Sequence, residues 1–392
     1  MRLLPALAAS LCLYLPAPLA AQVPCGGSFA SFVQGLKEEA LRRGHSPRAV
    51  DQFFAVARYD GGVIQRDRAQ GFFQRDFVDF SRRLISQYRL DRGRQNAVKY
   101  DAIFDVIEWR YGVSRGVLLA FWALETDFGA VQGDFNTLNA LVTLAHDCRR
   151  PGLFRPQVFA ALELFERGDF DTATTGAWAG EIGQVQMLPA DILENGVDGD
   201  GDGHVRLKTS SPDALMSGGK MLQSLGWRAG EPWLQEIILP GGLNWAETGL
   251  DTTRRVSDWA ALGVRARSGS LGPGNLSASI LLPMGRNGPA FIAYPNFRVF
   301  FEWNQSLVYV TTAAYLATRL EGAPVYDVRN PEPGLSGAEM KLLQQKLAAR
   351  GYDVGGIDGI LGARTRDAVR KEQLRLGLPA DAWPTRALLN RL

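Results

Sequence analysis

Glu125 follows eight uncharged residues, positions 117–124, which include Val117, Leu118, Leu119, Phe121, Trp122 and Leu124. Thr126, Asp127, Phe128 and Gly129 then close the run. A carboxyl group at the end of so apolar a helix is partly desolvated, which disfavours its charged form and raises its pKa. A carboxyl kept protonated near neutral pH can protonate a glycosidic oxygen. The plainer alternative is a helix-end carboxylate facing solvent. Asp127 reads as a local helix-end residue, not as a partner catalyst.

Two further clusters could carry chemistry. Residues 179–189 gather Gly180, Gly183, Gln184 and Gln186 before Pro189. Closely spaced glycines let backbone approach a ligand, and glutamines supply amide donors and acceptors; alone, the segment is equally a glycine-rich turn before a helix. Asp198, Asp200 and Asp202 alternate with Gly199, Gly201 and Gly203 ahead of His204. That spacing matches the first half of a calcium loop, with the His204 carbonyl as fourth ligand. Three aspartates at that spacing repel one another without a cation, although a polar loop is the alternative. Thr209 stands where such a loop ends in Glu, so Asp213 is the nearest carboxylate that could complete the shell.

Other machinery is missing. The three histidines, His45, His146 and His204, form no metal-ligand pair, and there is neither a nucleophile elbow nor a phosphate-binding loop. His146 beside Cys148 hints at a thiol catalyst, a reading that an export signal disfavours. The apolar residues 3–20 after Arg2, with small residues at Ala20 and Ala21, read as such a signal, cleaved near Ala21. Pro5, Pro16 and Pro18 argue against a membrane anchor, and Pro24 makes Cys25 a poor lipidation site. After cleavage, Cys25 and Cys148 remain, either as a disulfide or as free thiols.

The elements that must position these residues are mainly helical. Residues 28–57 and 65–97 read as amphipathic helices, and 102–111 as another. The segment 115–124 is apolar nearly all round and should be the buried core helix. Helical patterns recur at 137–146, 157–167, 214–225 and 306–320. From about Gly241 the pattern turns to glycines and β-prone runs, at 278–282 and 290–293, which predicts a small strand-containing insert. Residues 330–335 read as a linker. Residues 336–392 form a separate unit: helices at 337–350 and 363–376, each ended by a glycine, flank a glycine-rich loop, and a third short helix follows.

The chain has 392 residues with a formal net charge of +2, so nothing in its charge points to nucleic acid or an anionic membrane. Its length allows two or three domains of ordinary size.

Taken in order, these motifs resemble the lytic murein transglycosylase B family. The resemblance rests on residues 122–129, 183–189 and 197–204, then Asp213-Ala214, Leu225-Gly226-Trp227, 288–291, Asn296-Phe297-Arg298 and 303–306. Residues 336–392 resemble the small three-helix peptidoglycan-binding domain, through 342–352 and Ile357-Asp358-Gly359 with Gly362, Thr365 and Ala368. The resemblance implies an α+β, mainly helical, lysozyme-like catalytic domain at 22–329, after a signal at 1–21. It implies cleavage of the β-1,4 bond between N-acetylmuramic acid and N-acetylglucosamine without water, leaving 1,6-anhydro ends. Glu125 falls on the family's single catalytic glutamate. Gln186, Trp303 and Asn304 fall in the sugar-binding groove, and the family's EF-hand-like loop falls on Asp198, Asp200, Asp202, His204 and Asp213. The expected enzyme is a periplasmic monomer that needs no cofactor for its chemistry, carries a structural calcium, and has glycan strands and other cell-wall enzymes as partners. The alternatives are a water-using muramidase and an inactive wall-binding scaffold. Three departures stand out: Ala177 where the family often has Ser, Trp303 where it often has Tyr, and Glu181 in place of a small residue. The last would put an extra carboxylate near the groove and favour hydrolysis slightly.

Overall fold

The computed structural model describes residues 23–69 and 75–392, so the expected signal at 1–21 lies outside the described residues. Among the described residues, no helix is long and apolar enough to cross a membrane.

The N-terminal third is more finely divided than its periodicity predicts. Residues 28–57 hold two helices, Phe29–Arg42 and Pro47–Ala55. The chain turns at Gly44, at φ +95°, and Ser46 then caps the second helix by accepting from Ala49 N–H at 3.2 Å, with Pro47 at the first helical position. Residues 65–97 are likewise not one helix: Gly61–Arg68, Phe77–Leu84 and Gln87–Lys99 share them. Asp76 and Ser86 cap the latter two, accepting from Asp79 N–H at 2.8 Å and Arg89 N–H at 3.2 Å. Side-chain caps interrupt an apolar period without disturbing it, because each new helix restarts on the same buried face.

Asp101–Tyr111 leads through Gly112, in the left-handed region, to the central helix Arg115–Thr126. Every residue from Gly116 to Ala123 is buried. The helix lies among Gln87–Lys99, Ser211–Ser224 and, most closely, Leu307–Leu320. Thr137–His146 and Pro151–Arg167 pack on each other, the second starting six residues before its predicted 157. Cys25 and Cys148 are joined by a disulfide with Cα atoms 5.3 Å apart. The bridge closes a loop spanning 123 positions and ties the start of the described chain to the end of Thr137–His146.

The insert after Gly241 belongs to an antiparallel sheet of five strands. In spatial order they are Arg254–Arg255, Ser277–Leu281, Phe291–Ala293, Leu234–Ile238 and Arg265–Ala266. Ile280 pairs with Ile292, and Glu236 with Phe291. One face joins the main core through Leu234, Leu281 and Phe291; the other covers a second cluster around Trp259, Ile280 and Tyr294.

Gly337–Ala349, Ala363–Arg375 and Arg386–Leu389 enclose a third cluster around Leu343, Leu347 and Val369. This unit does not hang free. Asp381 accepts from Arg286 N–H at 3.0 Å and pairs with its guanidinium at 3.2 Å, and Trp383 Nε1 donates to Glu332 O at 2.9 Å. Trp383 itself belongs to the main core cluster. The segment 330–335 has neither helix nor strand, and Asn330 N–H donates to Asn287 O at 3.0 Å.

Candidate active site

Glu125 occupies the last turn of the central helix, whose ending is unusual. Asp127, Phe128 and Gly129 take φ values of 52°, 60° and 86° in succession. Phe128 N–H donates to Trp122 O at 3.0 Å, six positions back, and so closes the helix end. Asp127 tolerates the left-handed region, and its carboxylate is held by Arg89 Nε at 3.0 Å. Phe128 tolerates it less well, and its burial against Trp122, with ring centres 5.5 Å apart, holds it there. Gly129 has no alternative: a Cβ there would stand 2.8 Å from Gln184 Oε1. Thr126 Oγ1 donates to Gln184 O at 2.6 Å and accepts from Gly129 N–H at 2.9 Å. The helix end and the glycine-glutamine segment are thus fastened together.

Two side chains from other helices reach Glu125. Trp303, ending Phe297–Trp303, donates from Nε1 to Glu125 Oε1 at 3.1 Å and stacks on Phe121 with ring centres 4.3 Å apart. Tyr309, in the first turn of Leu307–Leu320, donates its hydroxyl to the same Oε1. Both donors converge on one oxygen, and Oε2 has no protein partner among the described residues. Burial pushes the Glu125 carboxyl up to about 7, against the two donors, with the Glu181 charge adding to the rise. A carboxyl acid whose carbonyl oxygen accepts two hydrogen bonds, with its other oxygen free, is arranged to give a proton and later to take one back.

Glu125 lines a groove of about 1540 Å³ together with Gln186, Trp303 and Asn304. Gln186 sits at φ +54° and fixes its amide by donating to Gly183 O at 2.8 Å. Asn304 Oδ1 accepts from Ser306 N–H at 2.9 Å, which starts the Leu307–Leu320 helix and so places Tyr309. Ala177 lines the groove as well. Glu181 does not: it is largely buried outside the lining, burial raises its own carboxyl, and its Oε2 has no partner. It stands behind the lining, close enough for its charge to act on Glu125. Sequence reasoning missed Tyr309. Its signal was a phenol on the buried face of an otherwise apolar helix, since a buried hydroxyl needs a partner.

Asp198, Asp200 and Asp202 bring one carboxylate oxygen each to within 4.8 Å of one another. Gly203 N–H donates to Asp198 Oδ2 at 2.8 Å, and such backbone donors hold its carboxyl below the usual range. Asp213 corrects its expectation. It is fully buried, and its carboxylate accepts from the N–H groups of Gly199, Asp200 and Arg206 at 2.9, 3.3 and 2.7 Å. It shapes the loop from within and stands outside the aspartate trio. The His204 ring turns to Asp169 at 3.1 Å. His146 accompanies no free thiol, because Cys148 is bonded to Cys25; its ring meets Gly27 O at 3.0 Å.

The model of the transglycosylase SLT domain family matches residues 28–318, and that of a peptidoglycan binding domain family matches 336–392. The chain belongs to the transglycosylase SLT family. Crystal structures of a similar family member, SltB3 from Pseudomonas aeruginosa, contain NAG-anhNAM-pentapeptide or NAG-NAM-pentapeptide. The first superposes with a TM-score of 0.86 at 35% identity, covering 93% of this chain and 99% of that one. Membrane-bound lytic murein transglycosylase B of Escherichia coli K12 is 26% identical over 201 residues. That match covers 51% of this chain and 55% of the relative, so the chain spans about half the length of the curated relative it matches. Slt35 of Escherichia coli, solved in complex with calcium, shares the fold with a TM-score of 0.64 at 23% identity, over 78% of this chain and 98% of that one. This family's mainly helical, lysozyme-like fold with small antiparallel sheets is the one described above.

Proposed function

We propose that this SLT-family enzyme is a lytic transglycosylase that cleaves the β-1,4 bond between N-acetylmuramic acid and N-acetylglucosamine in peptidoglycan. The observation that carries this reading is Glu125: a carboxyl pushed up to about 7, lining a groove large enough for several sugars, with one oxygen anchored and the other free. Glu125 protonates the leaving oxygen as the bond breaks. The muramyl N-acetyl group stabilises the sugar cation from within the substrate. The Glu125 carboxylate then removes the proton from the muramyl C6 hydroxyl as its oxygen closes the 1,6-anhydro ring. One carboxyl serves as acid and then base, and Tyr309 and Trp303 stabilise it in the ionised half of the cycle. Gln186 and Asn304 offer amide groups to the sugars, and Trp303 adds an aromatic edge.

The catalytic domain is assigned to 22–329 and a wall-binding domain to 336–392, joined by 330–335; the docked Asp381 and Trp383 support a combined groove. A periplasmic monomer fits the substrate. A calcium ion would be held by Asp198, Asp200 and Asp202, with the His204 carbonyl, and would neutralise three converging carboxylates; it takes no part in the bond cleavage. Digestion of purified sacculi tests the activity. Soluble fragments with anhydro ends, one water lighter than reducing ends by mass spectrometry, are expected. Reducing ends would make the enzyme a muramidase, and binding without release would make it a scaffold.

A further inference from the structure

The groove has a second polar wall that the cleavage chemistry does not use. It comes from the C-terminal unit, where Arg366 and Arg370 lie one turn apart on the Ala363–Arg375 helix. Side chains four residues apart share a helix face, so the two guanidinium groups stand together. Arg370 has no hydrogen bond and no ion pair among the described residues. Its Nε and that of Arg366 are both buried without a partner. The acids nearest in the same wall are engaged elsewhere: Asp367 with Lys371 at 2.7 Å, and Asp381 with Arg286 at 3.2 Å. Arg366 reaches Pro283 O at 2.8 Å and lies over the Trp383 ring at 5.8 Å, so it is fixed in place. Arg370 crosses to the catalytic domain. It packs on the bare Cα of Gly249, where an added Cβ would stand 2.2 Å from its Nη2.

Two adjacent guanidinium groups whose one acting counter-charge, Asp381, is shared with Arg286 are an unfavourable arrangement that an anion would relieve. Burial, with the Arg370 charge beside it, lowers the Arg366 guanidinium to about 10. Planar, forked donors suit a carboxylate. A muramyl residue in the groove carries its peptide on the lactyl group, and that peptide bears free carboxylates.

Resting on the transglycosylase reading above, we propose that Arg370 and Arg366 form a carboxylate subsite that holds the stem peptide of the strand being cut. The C-terminal unit then contributes to substrate choice at the scissile bond as well as to wall binding.

The test compares glycan strands with intact stems, the same strands stripped by an amidase, and strands whose stem carboxylates are chemically amidated. The readout is the ratio of kcat/KM for stem-bearing over stripped strands. Arg370→Gln is expected to lower that ratio about tenfold, the loss typical of one charge-assisted bond. Arg370→Lys should recover part of it, and amidated strands should give the unmutated enzyme the ratio of Arg370→Gln. Matching melting temperatures exclude a folding effect. A ratio unchanged by Arg370→Gln, or by amidation, overturns the subsite. If the unmutated enzyme cleaves none of the strands, the transglycosylase reading fails by itself. Calorimetry with NAG-NAM-pentapeptide then decides the subsite: binding about tenfold weaker in Arg370→Gln supports it, and equal binding overturns it.

Discussion

Glu125 is tuned by a contest between burial, which raises its carboxyl to about 7, and two donors on Oε1, which pull it back. Both sides of the contest can be changed. Glu125→Gln keeps the shape and removes the proton, so release of soluble fragments should fall by roughly three orders of magnitude, in line with general acid–base catalysis, while sacculus binding persists in a pull-down. Tyr309→Phe removes a donor that favours the ionised form. The pKa should rise further, so the high-pH limb of activity should move to higher pH while kcat falls. The carboxyl at the end of an apolar run is legible in the chain, and the donors that meet it are not. Eight uncharged residues before a glutamate are visible in the chain, whereas Trp303 and Tyr309 lie 178 and 184 positions away and meet it only through helix packing.

Among the elements, the central helix was the most legible, since a helix apolar on every side can only be interior. Its neighbours were read with the right type and the wrong limits wherever a capping Ser or Asp restarted a helix in phase, as at Ser46 and Ser86. The aspartate loop was legible by spacing, but the role of Asp213 was not. Only the fold shows that three backbone N–H groups occupy its carboxylate before any cation could. With the trio as the cation site, chelation by EDTA should lower the melting temperature by several degrees and calcium should restore it, because a ligand held only by the folded state stabilises it. Asp200→Asn should weaken that response. Asp213→Asn should lower the melting temperature even without calcium, as measured by differential scanning fluorimetry.

At the scale of the molecule, the groove belongs to the whole chain. The central helix supplies the acid, the Phe297–Trp303 and Leu307–Leu320 helices its donors, and the C-terminal unit one wall. The sequence sets that unit apart by its glycine-capped helices, yet its docking through Asp381 and Trp383 leaves no periodic trace. The disulfide crosses a long stretch of chain, a constraint on the unfolded state of about 4–5 kcal/mol in the chain-entropy model. Reduction should therefore lower the melting temperature in a calorimetric scan. All of this architecture serves one protonated carboxyl, and the pH dependence of kcat/KM on isolated strands reports its ionisation in the free enzyme. Activity should fall as pH rises through about 7, where Glu125 loses its proton. A profile that already falls between pH 4 and 5, at an ordinary carboxyl pKa, or that stays flat through neutrality, would contradict a buried acid at the centre of this enzyme.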